Sequence, residues 1–179
     1  IKGTPEKEWI ELDVLVENLG RVNYGFKLNG PTQVKGIRGG IMQDIHFHQG
    51  YRQYALTLSA DQLKKIDYTA GKNPAQPSFY QAEFTLTDLA DTFIDCRSYG
   101  KGVVIVNGIN LGRYWQRGPI HSLYCPKEFL KKGTNEIVIF ETEGIEINEL
   151  IFCGQPIVKK LLTNDFSEIG SNIHNHIDS

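Results

Sequence analysis

The chain has 179 residues, 40% of them hydrophobic, and a formal net charge of −2. That content supports a sizeable core and excludes disorder throughout, while the near-neutral charge supplies no basic field for nucleic acid. No apolar run approaches the roughly 20 residues that cross a bilayer, so neither nucleic acid nor membrane is an expected partner. The start, Ile1-Lys2-Gly3-Thr4-Pro5, lacks a signal-peptide pattern, and the single methionine is Met42, which fits an excised part of a longer chain. Cys96, Cys125 and Cys153 are odd in number and widely spaced, so they read as buried thiols that lean toward a cytoplasmic compartment.

In chain order, Ile10, Leu12, Val14 and Val16 alternate with mostly polar neighbours, the period of a half-buried strand. Asn18-Leu19-Gly20 breaks it, and 22–28 reads as a second strand closed by Asn29-Gly30-Pro31. Short strands over 33–37, 41–48 and 51–58 continue an antiparallel meander. Ser59 with Gln62 three residues on has the form of a capping box, which predicts a helical turn over 63–66. The stretch 67–77 is rich in turn residues and reads as a linker.

Strands are then expected at 79–86, 92–96, 121–124, 135–141 and 150–158, with a helical turn over 126–133. The strongest local feature is a hairpin. Val103-Val104-Ile105-Val106 leads into Asn107-Gly108, the pair suited to a type I′ turn, and the return strand ends in Arg113-Tyr114-Trp115. No repeat of roughly 20 to 50 residues is evident. The chain therefore reads as all-β, an antiparallel β-sandwich with jelly-roll connections.

Glu141, Glu143 and Glu146 invite comparison with paired glycosidase carboxylates, but a solvated strand face explains them better. His46 and His48 share a strand face without a third ligand, and His174 and His176 sit in a tail expected to be flexible, so no metal site is assigned. No nucleophile elbow, phosphate loop or dinucleotide fingerprint occurs. Arg113, Tyr114 and Trp115 are the candidate contact residues: flat aromatics beside a forked cation suit either a sugar ring or another domain.

Two segments together resemble the C-terminal β domains of glycoside hydrolase family 35, the β-galactosidases. One is 12–25, with Arg21-Val22-Asn23-Tyr24-Gly25; the other runs from Asp91-Thr92-Phe93 through Gly100-Lys101-Gly102, Val106-Asn107-Gly108, Leu111-Gly112-Arg113-Tyr114-Trp115 and Gly118-Pro119 to Leu130-Lys131-Lys132-Gly133-Thr134-Asn135. The resemblance implies a β segment at 1–66 that begins upstream of Ile1, the linker 67–77, a galactose-binding-like jelly roll at 78–162 and a tail at 163–179. It implies a retaining β-galactosidase as parent, with its two catalytic glutamates on an upstream TIM barrel. The present chain would then be noncatalytic, without cofactor, and packed against that barrel. A galactoside is a possible ligand, and Arg21, Asn23 and Tyr24 could approach the barrel's sugar pocket. The alternative is an autonomous carbohydrate-binding module built on Arg113, Tyr114 and Trp115.

Overall fold

A computed structural model describes residues 12–69 and 75–159, which fall into two compact units divided between Ala55 and Leu56. The expected strand residue Ile10, part of the linker and the whole 163–179 tail, with His174 and His176, lie outside the described residues.

The first unit carries one regular hairpin, β1 (Ile41–Gln43) and β2 (His46–His48), in which Met42 faces Phe47 across the turn at Asp44-Ile45. Asp44 takes the positive φ that this tight reversal requires, so the single strand expected over 41–48 is two strands instead. Upstream, the backbone of Val22 donates to Gln33 and that of Lys35 to Gly20, closing a loop whose short 3-10 turn spans Pro31–Gln33. Residues 22–28 make turns inside this loop, with positive φ at Gly25 and Lys27, and not the predicted strand. The strands expected at 12–16 and 51–58 are likewise absent among the described residues, and only an isolated bridge, Arg21 to Val34, represents that at 33–37. Alternation supplies a face to bury, but a strand also needs a hydrogen-bonding neighbour. Leu12, Val14, Leu15 and Val16 stay exposed on both alternating sets.

The second unit is an antiparallel sandwich. Its larger sheet has the order β3 (Ser78–Leu86), β8 (Gly133–Glu141), β5 (Lys101–Val106), β6 (Ile109–Trp115). The smaller one sets β4 (Thr92–Asp95) between β7 (Ser122–Cys125) and β9 (Phe152–Cys153). Val104, Val106, Ile137, Ile139 and Tyr114 from the first sheet close on Ile94, Cys125 and Phe152 from the second, and Phe84 meets Phe152 ring to ring at 4.9 Å. Burial pushes the Cys96 thiol up to about 12, so it is a neutral core side chain. The all-β, antiparallel reading holds for this unit.

The hairpin turns where its residues demand. Asn107 and Gly108 both have positive φ, at 49° and 81°. A second role for Asn107 is its side-chain clamp. Its Nδ2 donates to the carbonyl of Phe129 and to Asn135 Oδ1, while its Oδ1 accepts from the Glu136 amide. Asn135, fully buried, also binds the Lys131 amide and carbonyl, so the hairpin tip is fastened to the turn before β8.

A one-turn helix, α1 (Ala60–Leu63), begins where Ser59 accepts from the Gln62 amide, one turn earlier than the predicted 63–66. Leu63 packs on Ile105 and Val138, with Ile66, Tyr68, Phe79 and Val103 around them. Residues 58–68 thus cover part of the outer face of the larger sheet.

Candidate functional site

Successive residues of a strand point to opposite faces, and β6 obeys this rule across Arg113-Tyr114-Trp115. Arg113 and Trp115 lie on the outer face, while Tyr114 is 2% exposed and belongs to the core. The three residues therefore do not form one platform.

The register explains where Tyr114 goes. Tyr114 pairs with Gly102, and Gly102 with Glu141, so the three form a row across β6, β5 and β8. Because Gly102 has no side chain, the tyrosine lies over it and donates its hydroxyl to Glu141 Oε2 at 2.7 Å. A β-carbon on Gly102 would fall on the Phe140 carbonyl oxygen and stand 2.7 Å from the tyrosine hydroxyl. Glu141, fully buried, also accepts from the backbone amides of Gly100, Lys101 and Glu143. Burial first, and then the Glu141 carboxylate, push the Tyr114 hydroxyl well above its ordinary range, so it remains a donor. The solvated-face reading of Glu141 is corrected here: strand parity cannot reveal that a glycine opens a channel for a buried carboxylate's donor. Sequence reasoning missed this group, and the pairing of a glycine with a tyrosine two strands from a glutamate is visible only once the register is known.

On the outer face Trp115 carries a collar of cations. Lys101 Nζ, Arg113 Cζ and Arg117 Cζ stand 5.4, 5.9 and 5.3 Å from its ring centroid, all within cation–π range. Its indole Nε1 is buried and has no hydrogen-bond partner among the described residues. The adjoining row on this face is aromatic, with Phe79 and Phe140 stacked at 4.3 Å beside Val103.

The other candidates belong to the first unit. Arg21 spends a guanidinium nitrogen on the Gly30 carbonyl, Asn23 is exposed, and Tyr24 is 91% exposed. A tyrosine packed at a strand start is thus excluded for Tyr24, whose neighbour Phe26 is 97% exposed. His46 and His48 are exposed, His48 meeting Gln43 at 3.3 Å, and no cluster of three metal-ligating side chains exists among the described residues.

A groove of about 300 Å³ opens at the hairpin tip, a place the sequence did not single out. Ala60, Leu63 and the half-buried ring of Tyr68 give it apolar walls, and Gly108 brings the hairpin tip against the helix. Gln81 donates to Glu136 Oε2 at 3.0 Å along one side, and Lys64 and Lys131 complete the rim. Burial, aided by the nearby Glu136 charge, raises the Tyr68 hydroxyl's pKa, and that hydroxyl is tied to the Leu63 carbonyl.

Comparison with known proteins decides the lineage. Residues 2–66 match the first all-beta domain of beta-galactosidase, and residues 77–135 match the beta-galactosidase galactose-binding domain. Beta-galactosidase 1 of Dictyostelium discoideum is 38% identical over 156 residues, covering 81% of this chain and 22% of that protein. The chain belongs to the β-galactosidase family. Beta-galactosidase-1-like protein 2 of Homo sapiens is 34% identical over 135 residues (73% of this chain, 21% of the relative), and beta-galactosidase 17 of Arabidopsis thaliana 35% over 149 residues (74% and 21%). The chain spans about a fifth of the length of these β-galactosidase relatives. It corresponds to the noncatalytic β domains of the C-terminal region of the longer β-galactosidases. Trp115, its cations and the groove's hairpin all fall within the β-galactosidase galactose-binding match, whereas Tyr24 falls within the first all-beta match.

Proposed function

We propose that this chain serves a β-galactosidase as an accessory region, packing against an upstream TIM barrel that removes terminal β-linked galactose, and performs no hydrolysis itself. The cation-ringed outer face at Trp115 carries this reading. A half-buried indole with three cations around it, beside stacked Phe79 and Phe140, is a surface suited to an acidic or aromatic neighbour. Arg113 and Trp115 supply the contact, and Tyr114 holds their strand from beneath. In the other unit, Arg21 braces the loop from which Tyr24 reaches out, the residue proposed to approach the barrel's sugar pocket.

The test has two parts. Purified residues 1–179 are expected to give no turnover of a chromogenic β-galactoside, and genuine turnover would sink the accessory reading. In the full-length enzyme, Trp115→Ala with Arg117→Ala is expected to speed proteolytic release of the β region and to leave kcat/KM within about twofold. Saturable galactose binding to the isolated chain that disappears in Trp115→Ala would instead establish an autonomous carbohydrate-binding module at that face.

A further inference from the structure

We propose that Asn29 is a site of spontaneous deamidation, and that Asn107, which carries the same local chemistry, is shielded from it by the fold. The proposal depends neither on the accessory role nor on the Trp115 face.

The chain contains two Asn-Gly pairs, Asn29-Gly30 and Asn107-Gly108. Asparagine is thermolabile, and a following glycine puts no β-carbon in the way of the reaction, in which the next residue's amide nitrogen attacks the side-chain carbonyl carbon. That nitrogen gives up its proton to water or hydroxide, the N–Cγ bond forms, the Cγ–Nδ2 bond breaks, and ammonia leaves with a proton returned from solvent. One water molecule then opens the succinimide. Attack at its γ-carbonyl gives aspartate and attack at its α-carbonyl gives isoaspartate. Either way water is consumed and ammonia released, with no redox step.

The sequence makes the two pairs equivalent, and the structure separates them. At Asn107 the whole side-chain amide is engaged: Nδ2 donates at 2.8 Å to the Phe129 carbonyl and to Asn135 Oδ1, and Oδ1 accepts from the Glu136 amide at 3.0 Å. Asn135 is itself fully buried and tied to Lys131, so the partner cannot follow if Asn107 swings away. Bringing Cγ onto the Gly108 nitrogen in a reactive geometry breaks all three bonds, and reaction there waits for local opening.

Asn29 has none of this protection. It is exposed in the turn over 26–29, and its side chain makes no hydrogen bond among the described residues. The attacking nitrogen, that of Gly30, is held by one turn hydrogen bond, to the Lys27 carbonyl at 2.7 Å. The described part of this unit contains no buried residue, so opening the turn costs little. Either product adds a negative charge, and isoaspartate also inserts a methylene into the main chain just before Gly30, whose carbonyl is braced by Arg21. The altered loop is the one that carries Tyr24.

The test is incubation of the 179-residue chain in mildly alkaline buffer, with and without urea, followed by peptide mass mapping and by enzymatic methyl labelling of isoaspartate. In buffer, Asn29 should convert at least about tenfold faster than Asn107, the ratio that local opening of the clamp imposes. In urea, where the clamp is gone and both pairs sit in unfolded chain, the two rates should converge to within about threefold. Asn29→Ser should remove the first acidic species that isoelectric focusing detects in the ageing parent. Equal conversion of both asparagines in buffer, an unreactive Asn29 in buffer, a ratio that persists in urea, or a first acidic species that survives in Asn29→Ser would overturn the proposal.

Discussion

Gly102 has no room for a β-carbon, and that single fact organises the residues around it. The backbone carbonyl of Phe140 and the hydroxyl of Tyr114 occupy the space a side chain would need. Gly102→Ala is therefore expected to destabilise the chain beyond the roughly 1–3 kcal/mol of ordinary overpacking. Tyr114→Phe keeps the ring and removes only a donor to a buried carboxylate, an effect of about 1.5–3 kcal/mol. Urea midpoints of the two variants against the parent check both, and a Gly102→Ala chain as stable as Tyr114→Phe would contradict the packing. At this scale, the sequence reading grouped Arg113, Tyr114 and Trp115 by chemistry. Strand parity already separates them, because neighbours in a strand cannot share a face. What no parity argument supplies is the fate of Glu141: its burial depends on Gly102, distant in the sequence, lying between it and its partner.

Among the elements, the β5–β6 hairpin was the most legible, since Asn107-Gly108 specifies its turn through backbone conformations that few other pairs adopt. The clamp made by Asn107 was not legible, because its partners Phe129 and Asn135 lie in other elements. The two roles can be separated. Asn107→Gly keeps the positive φ and deletes the clamp, so it should cost about 2 kcal/mol in denaturant unfolding, whereas a neutral result would assign Asn107 to the turn alone. The capping box was also legible in kind: Ser59 caps as expected, although Gln62 turns its side chain to the Leu58 amide and Thr57 hydroxyl. In the first unit the strand readings at 12–16, 22–28 and 51–58 failed for a common reason. Hydrophobic alternation describes one chain's capacity, and sheet formation is a property of two.

Across the whole molecule, the two units differ sharply in how much apolar surface they bury. Among the described residues, the buried hydrophobic side chains all lie in the unit beginning at Leu56, from Leu63 to Ile139, while the described part of the first unit leaves most of its large apolar side chains exposed. Opening free energy follows burial, so native-state hydrogen exchange should be slowest in β5 and β8 and fast throughout 12–55. Protection in 12–55 equal to that of β8 would show that the first unit is held by contacts of comparable strength. The family assignment fits this division, since separate first all-beta and galactose-binding matches fall largely on the two units.

The Tyr114–Gly102–Glu141 row also acts as a check on strand alignment. If β5 slid by one residue against β8, Glu141 would face a lysine or a valine position in place of the glycine, and its carboxylate would lose the tyrosine donor while still being driven inward. Hydrophobic side chains alone tolerate such slips, because one valine resembles the next in a run of Val103-Val104-Ile105-Val106. This polar row within a largely apolar sheet face singles out one alignment, so the least oily part of the core is what makes its oily part unambiguous.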